Sequence, residues 1–213
     1  MNTISSVSMV AIIYHDADYD GKLSNEVCRY HLKRKYPNAT VHSYGWDYGR
    51  PVPQPAKIQH GHEIVDGLQW TDYDAIYIVD LSVDELMAKP ELREKIVWID
   101  HHKSAIQKWD TNPVTGGQGL KYRFSGYRID GVAACRLCWQ WFVREKEHDA
   151  EPDAGWDVLP SKEAFVNRSV TEPSIILLAG EYDIWDHRDP DGKPLQFGLR
   201  SLKPDSLSRL IRN

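Results

Sequence analysis

Ile96-Val97-Trp98-Ile99-Asp100-His101-His102-Lys103 is the stretch from which the fold can be read. Its four apolar residues make a short run of the kind that forms a buried strand. The run stops at a carboxylate and two imidazoles, groups that no apolar core holds unpaired. Open α/β sheets present their ligand sites in this way, at the carboxyl ends of the strands. A single stretch of this kind is a weak signal. Two others in the chain repeat it.

Val7 to Tyr14 is rich in β-branched residues and runs into His15-Asp16-Ala17-Asp18-Tyr19-Asp20-Gly21. A helix is expected after it, from about Leu23 to Tyr36. Strand, acidic turn, glycine and helix open a βαβ unit, with Gly21 supplying the freedom of a tight turn. His15, Asp16, Asp18 and Asp20 crowd together and repel one another unless cations lie among them, and oxygen-rich sets suit hard divalent cations. A calcium loop requires a glutamate at a fixed later position, and none follows. Asp74 to Leu81 reads as another strand, with Asp80 at its carboxyl end. A helical stretch from Ser82 to Lys95, interrupted at Pro90, leads back to Ile96. A parallel sheet with right-handed crossovers brings His15, Asp18, Asp20, Asp80, His101 and His102 to one edge. The fold class expected is α/β, an open and mainly parallel sheet with helices on both faces.

The remaining segments are less specific. Thr40 to Tyr44 alternates like a strand, and Gly45, Gly49, Pro51, Pro53 and Pro55 make residues 45–63 an irregular surface excursion. His60-Gly61-His62-Glu63 at its end is read as a surface feature. Residues 103–129 hold Lys103, Lys108, Lys121, Arg123 and Arg128 against Asp110 alone. That stretch is either a path for an approaching phosphate or a solvated basic loop, and Gly116, Gly117 and Gly119 suggest mobility. Gly131 to Lys146 is an amphipathic helix whose Cys135 and Cys138 belong to the core, since no second ligand pair accompanies them. Residues 147–160 carry five acids and no lysine or arginine, and form an exposed connection. Pro173 suits the first turn of a helix carrying Asp183, Asp186 and His187 on about one face. Spacing does not choose between Asp183 and Asp186 as a ligand. A short amphipathic tail runs from Asp205 to Arg212.

Composition bounds the function. Lysine and arginine number 26 against 31 acidic residues among 213, a formal charge of −5, which argues against general duplex-DNA binding. Three cysteines make no disulfide framework. There is neither a membrane-spanning apolar run nor a signal-peptide pattern at the start, so a soluble, cytoplasmic protein is expected.

Asp100-His101-His102 after a strand, with His15-x-x-Asp18-x-Asp20-Gly21 before it and Asp80 ending a strand between them, resembles the DHH phosphoesterase superfamily. That group includes single-strand exonucleases, phosphodiesterases of small oligonucleotides and cyclic dinucleotides, exopolyphosphatases and family II inorganic pyrophosphatases. The similarity covers nearly the whole chain, 1–213, as one DHH-type catalytic domain. Gly131-Val132-Ala133-Ala134-Cys135, Glu181-Tyr182-Asp183-Ile184-Trp185 and Phe197-Gly198-Leu199-Arg200 look like the branch that acts on short oligoribonucleotides.

The resemblance implies His15, Asp18 and Asp80 as ligands of one metal and Asp20, Asp80, His101 and Asp183 as ligands of the second, with Asp80 bridging. It selects Asp183 over Asp186. His102 is then expected to face the substrate phosphate and Asp100 to orient an imidazole. Arg123 and Arg128 of the basic stretch, with Arg200, are the candidate substrate contacts. The pyrophosphatases place their histidine four residues before the first aspartate; the gap here is three, which points away from them. The glycine-rich motif of the superfamily's C-terminal substrate-binding domain is not recognisable.

Four carboxylates call for two divalent cations. Mixed oxygen and imidazole ligands suit manganese first, with magnesium, cobalt, zinc or iron as alternatives. The expected activity is two-metal hydrolysis of phosphodiester bonds in short oligonucleotides or dinucleotides. Hydrolysis of polyphosphate or pyrophosphate is the enzymatic alternative, and a metal- or nucleotide-binding module without turnover is the other. Assembly as a homodimer stays open.

Overall fold

A computed structural model describes residues 7–55, 59–60, 63–64, 67–111, 124–148, 161–167, 170–202 and 206–211 of the chain. Strand β1 (Met9–His15) is followed by helix α1 (Tyr19–Lys35) and strand β2 (Thr40–Trp46). A two-residue pair, β3 (Gln59–His60) and β4 (Glu63–Ile64), is antiparallel and separate from the main sheet. Strands β5 (Ala75–Val79) and β6 (Ile96–Ile99) complete the sheet, in the order β2-β1-β5-β6 with every pairing parallel.

Both faces of this sheet are covered, which is why its strands read as near-continuous apolar runs. On one side Val10, Ile12, Tyr77, Val79 and Ile99 pack with residues of α1, of α4 (Ala134–His148) and of α6 (Ser174–Asp183). On the other, Ala11, Ile13, Ile76, Ile78 and Trp98 pack with the short α2 (Asp84–Met87), with α3 (Lys103–Thr111) and with Trp70 and Leu92 of two 3-10 turns. Trp98 on β6 donates its indole N–H to Leu81 O at 2.9 Å, tying that strand to the exit of β5. Three short helices, α5 (Lys162–Val166), α7 (Gly192–Ser201) and α8 (Leu207–Leu210), finish the chain. No helix among the described residues is long and apolar enough to cross a membrane.

Several elements depart from the sequence expectation, each for a local reason. Helix α1 begins at Tyr19 rather than Leu23, because Asp18 accepts the Gly21 N–H at 2.9 Å and caps it. Gly21 therefore lies inside the first turn. It is needed there for closeness, since a Cβ would lie 2.0 Å from His15 O. The stretch after β5 splits into α2 and a 3-10 turn, Pro90–Lys95. Lys103–Thr111 is a helix where a loop was expected, and Trp109 Nε1 donates to Asp84 at 2.9 Å. Residues 125–128 lie parallel beside β6: Trp98 N donates to Ser125 O at 2.8 Å and Asp100 N to Tyr127 O at 3.0 Å. They cover an edge whose backbone groups would otherwise be unpaired. The acidic connection falls mainly on 149–160, outside the described residues, and its first two residues end α4.

The strand order fixes where a ligand can sit. From β1 the chain moves to β2 on one side and then returns to β5 on the other. In open α/β sheets the crevice at such a reversal, outside the carboxyl ends of the strands, is the usual binding place. His15 ends β1 and Asp80 follows β5.

Candidate metal centre

Three carboxylates of the centre, Asp18, Asp20 and Asp100, also hold backbone N–H groups in place. Asp18 caps α1 with one carboxylate oxygen, leaving Oδ2 2.9 Å from His15 Nδ1. Asp20 has a fully buried side chain and caps a different helix: its two oxygens accept the N–H groups of Ala134 and Cys135, each at 2.8 Å. This is why α4 starts at Ala134. Asp100, likewise wholly buried, accepts the backbone N–H of His101 at 2.7 Å and of His102 at 3.1 Å. The same oxygen lies 2.8 Å from His102 Nδ1. That contact engages one of the two ring nitrogens, Nδ1.

Asp80 lies between the two groups of ligands. Its side chain is 0% exposed and its backbone is left-handed, at φ 62°. Oδ2 is 3.5 Å from His15 Nδ1, and Oδ1 is 3.2 Å from His101 Nε2. His101 Nε2 also approaches Asp20 Oδ2 and Asp183 Oδ2, both at 3.5 Å. Yet neither Asp80 oxygen, nor His15 Nδ1, makes a hydrogen bond of proper alignment. Buried carboxylates left in this way cost several kcal/mol unless an ion completes them. Three groupings place their ligand atoms within 4.8 Å of one another: His15, Asp18 and Asp80; Asp20, His101 and Asp183; and Asp80, His101 and His102. The donor set, carboxylate oxygens with imidazole nitrogens, fits divalent cations.

The electrostatics point the same way. The Asp18 and Asp80 carboxylates beside His15 push its imidazole up to about 11. Burial works against a charge on His101, but Asp80, Asp20 and Asp183 outweigh it and lift the ring to about 10. Asp100 raises His102. Asp183 is pushed up to about 7 by burial and by Asp20, and Asp20 is raised by burial and by Asp80. Asp18 is the exception. Burial opposes its charge, yet His15 and the Gly21 amide hold it below the ordinary carboxylate range.

The structure brings His15, Asp18, Asp20, Asp80, Asp100, His101, His102 and Asp183 together. It does not do so for every residue singled out from sequence. Asp186 lies past the end of α6, where Trp185 takes a left-handed φ of 60°, and it pairs with Arg188 at 2.6 Å. Arg128 is buried, and its guanidinium donates to Trp98 O at 3.2 Å and Gly126 O at 3.1 Å over the Trp98 ring. This role braces the strip beside β6 and is not a free substrate contact. Arg200 is exposed on α7 over the Phe197 ring, at 5.4 Å. Arg123 lies outside the described residues, as do Lys121 and Gly116 to Gly119. Of the basic path, Lys103 pairs with Asp130 and Lys108 with Asp84. Sequence reasoning missed Asp47, whose Oδ1 is 3.2 Å from His15 Nε2. A carboxylate directly after the second parallel strand was its one available signal.

A scan against protein-family models and a search of curated proteins each find no match for this chain.

Proposed function

We propose that this chain is a manganese-dependent phosphoesterase of the DHH type, hydrolysing phosphodiester bonds of short oligonucleotides or dinucleotides with two metal ions. The observation that carries this reading is Asp80. One of its buried oxygens faces His15 and the other His101, as a ligand shared by two cations requires. His15, Asp18 and Asp80 would hold one ion, and Asp20, Asp80, His101 and Asp183 the other. Bound there, the cations supply Lewis acidity and a water of lowered pKa. The chain's own residues do the rest. The four carboxylates balance the charge of the ions, Asp100 holds His102, and His102 Nε2 donates to a phosphoryl oxygen as negative charge grows there.

One further feature favours a substrate that carries bases over a bare phosphoanhydride. Trp185, two residues beyond Asp183, is 83% exposed and held in a left-handed backbone. That conformation costs a tryptophan about 1–2 kcal/mol. An exposed indole two residues along the chain from Asp183, its ring edge-on to that of His187 at 5.6 Å, offers a stacking surface for a nucleobase.

A turnover panel with manganese tests the proposal, using oligonucleotides of two to five residues, cyclic dinucleotides, polyphosphate and pyrophosphate. Release of nucleoside monophosphates from the short oligonucleotides, abolished by a chelator, is the expected result. Turnover of polyphosphate or pyrophosphate alone overturns the substrate assignment. Manganese binding without any turnover leaves a metal-binding module.

A further inference from the structure

Asp47 stands immediately after β2, at the same carboxyl edge as the metal centre, in a stretch whose composition suggests only a surface loop. Its Oδ1 lies 3.2 Å from His15 Nε2. The opposite ring nitrogen, Nδ1, is the one facing Asp18 Oδ2 at 2.9 Å and Asp80 Oδ2 at 3.5 Å. A carboxylate on one side of an imidazole fixes which nitrogen keeps its hydrogen, and so which lone pair is offered on the other side. The residues around Asp47 are fastened to the centre at separate points. Arg50 Nη1 donates to both oxygens of Asp16, at 3.1 and 2.9 Å, and Nη2 lies 3.9 Å from Asp47 Oδ2. Tyr48 accepts the Ser82 N–H on its hydroxyl at 3.1 Å, two residues past Asp80, and its ring lies 6.2 Å from that of His15. Asp16 N donates to Trp46 O at 3.0 Å.

We propose that Asp47 is a positioning residue that orients His15 so that Nδ1 is its metal-ligating nitrogen, with Arg50 and Tyr48 holding Asp47 in place. The inference rests on the two-metal reading above. It adds a carboxylate outside the ligand set whose task is to select the tautomer and rotation of one ligand, and it assigns residues 47–50 to the metal centre.

Calorimetric titration of the full chain with manganese(II) chloride tests it, with wild type beside Asp47→Ala and Asp47→Asn. Removing the partner of a ligating histidine is expected to weaken metal binding about 10–100-fold. The loss should fall on one of the two sites. Asp47→Asn should lose less than Asp47→Ala, because the amide oxygen still accepts the Nε2 hydrogen. Should the alanine variant not fold, Asp47→Ser, too short to reach Nε2, repeats the test with the same expectation. Wild type binding two ions and Asp47→Ala binding them with unchanged affinities overturns the proposal and leaves the two-metal reading standing. Equal losses at both sites, or in the alanine and asparagine variants, also overturn it. Wild type binding no manganese overturns the two-metal reading, and this inference with it.

Discussion

If the proposed cations bind at this centre, loading it should drive protons off the ligands. Asp18 and Asp80 beside His15 push its imidazole up to about 11, and Asp80, Asp20 and Asp183 outweigh burial to push His101 up to about 10. At pH 8 both rings therefore carry a second proton, which each must give up before it can ligate. Binding of manganese should release about two protons per chain, one from each ring. Both values are raised, so the protons are held until the pH is high; alkaline conditions favour the metal and acid opposes it. With two protons released, overall affinity for the pair of ions should climb about 100-fold per pH unit between pH 7.5 and 8.5. Below pH 7 Asp183 and Asp20, both raised by burial and a neighbouring carboxylate, take up protons as well, and the dependence steepens. Calorimetry in buffers of different ionisation enthalpy reads the proton number as the slope of apparent against buffer enthalpy. His101→Ala should lower that slope by about one. Release of less than one proton by wild type, or affinity that stays flat across this range, would refute the reasoning.

Three further outcomes follow from the geometry. Asp80→Asn should bind neither manganese ion tightly and lose turnover while keeping the circular dichroism of wild type; a variant with a tenth of normal turnover would sink the bridging role. His102→Ala should keep both ions and slow turnover by about 10²–10³, the usual effect of removing one transition-state donor, whereas loss of a metal in calorimetry would mean that it ligates. Arg128→Ala strands the buried carbonyls of Trp98 and Gly126. It should cost about 2–4 kcal/mol, a fall of roughly 4–16 °C in melting temperature, and an unchanged melting temperature with a raised KM would return Arg128 to the substrate.

The sheet was legible because its strands are buried on both faces and each of three apolar runs stops at ionisable residues. The six residues proposed as metal ligands were legible in part from that pattern, and their division into two sets came from family resemblance. Boundaries set by long-range partners were not legible. The start of α4 depends on Asp20, more than a hundred residues earlier, and no local feature at Gly131 reveals that. Arg128 looked like part of a basic surface because charge counting is blind to burial. The backbone carbonyls that satisfy it belong to a strip beside β6 that periodicity does not register. Asp186 and Asp183 are equivalent by spacing, but the helix ends between them. Asp47 was hidden by its neighbours, since glycines and prolines mark a loop and say nothing of what that loop touches.

The left-handed backbone at Asp80 bears on how the chain can vary. Two independent filters act on that one codon. Backbone sterics admit glycine, asparagine and aspartate with least strain, while the proposed role of a ligand shared through two charged oxygens admits only aspartate or glutamate. One amino acid passes both, and glutamate fails the first. In a saturation screen scored for turnover, position 80 should be a column with a single survivor. Scored for folding alone, the same column should open to asparagine and glycine. Asp18, with an extended φ of −128°, faces no such backbone filter. The difference between the two screens at position 80 would separate what the fold demands from what the ions demand.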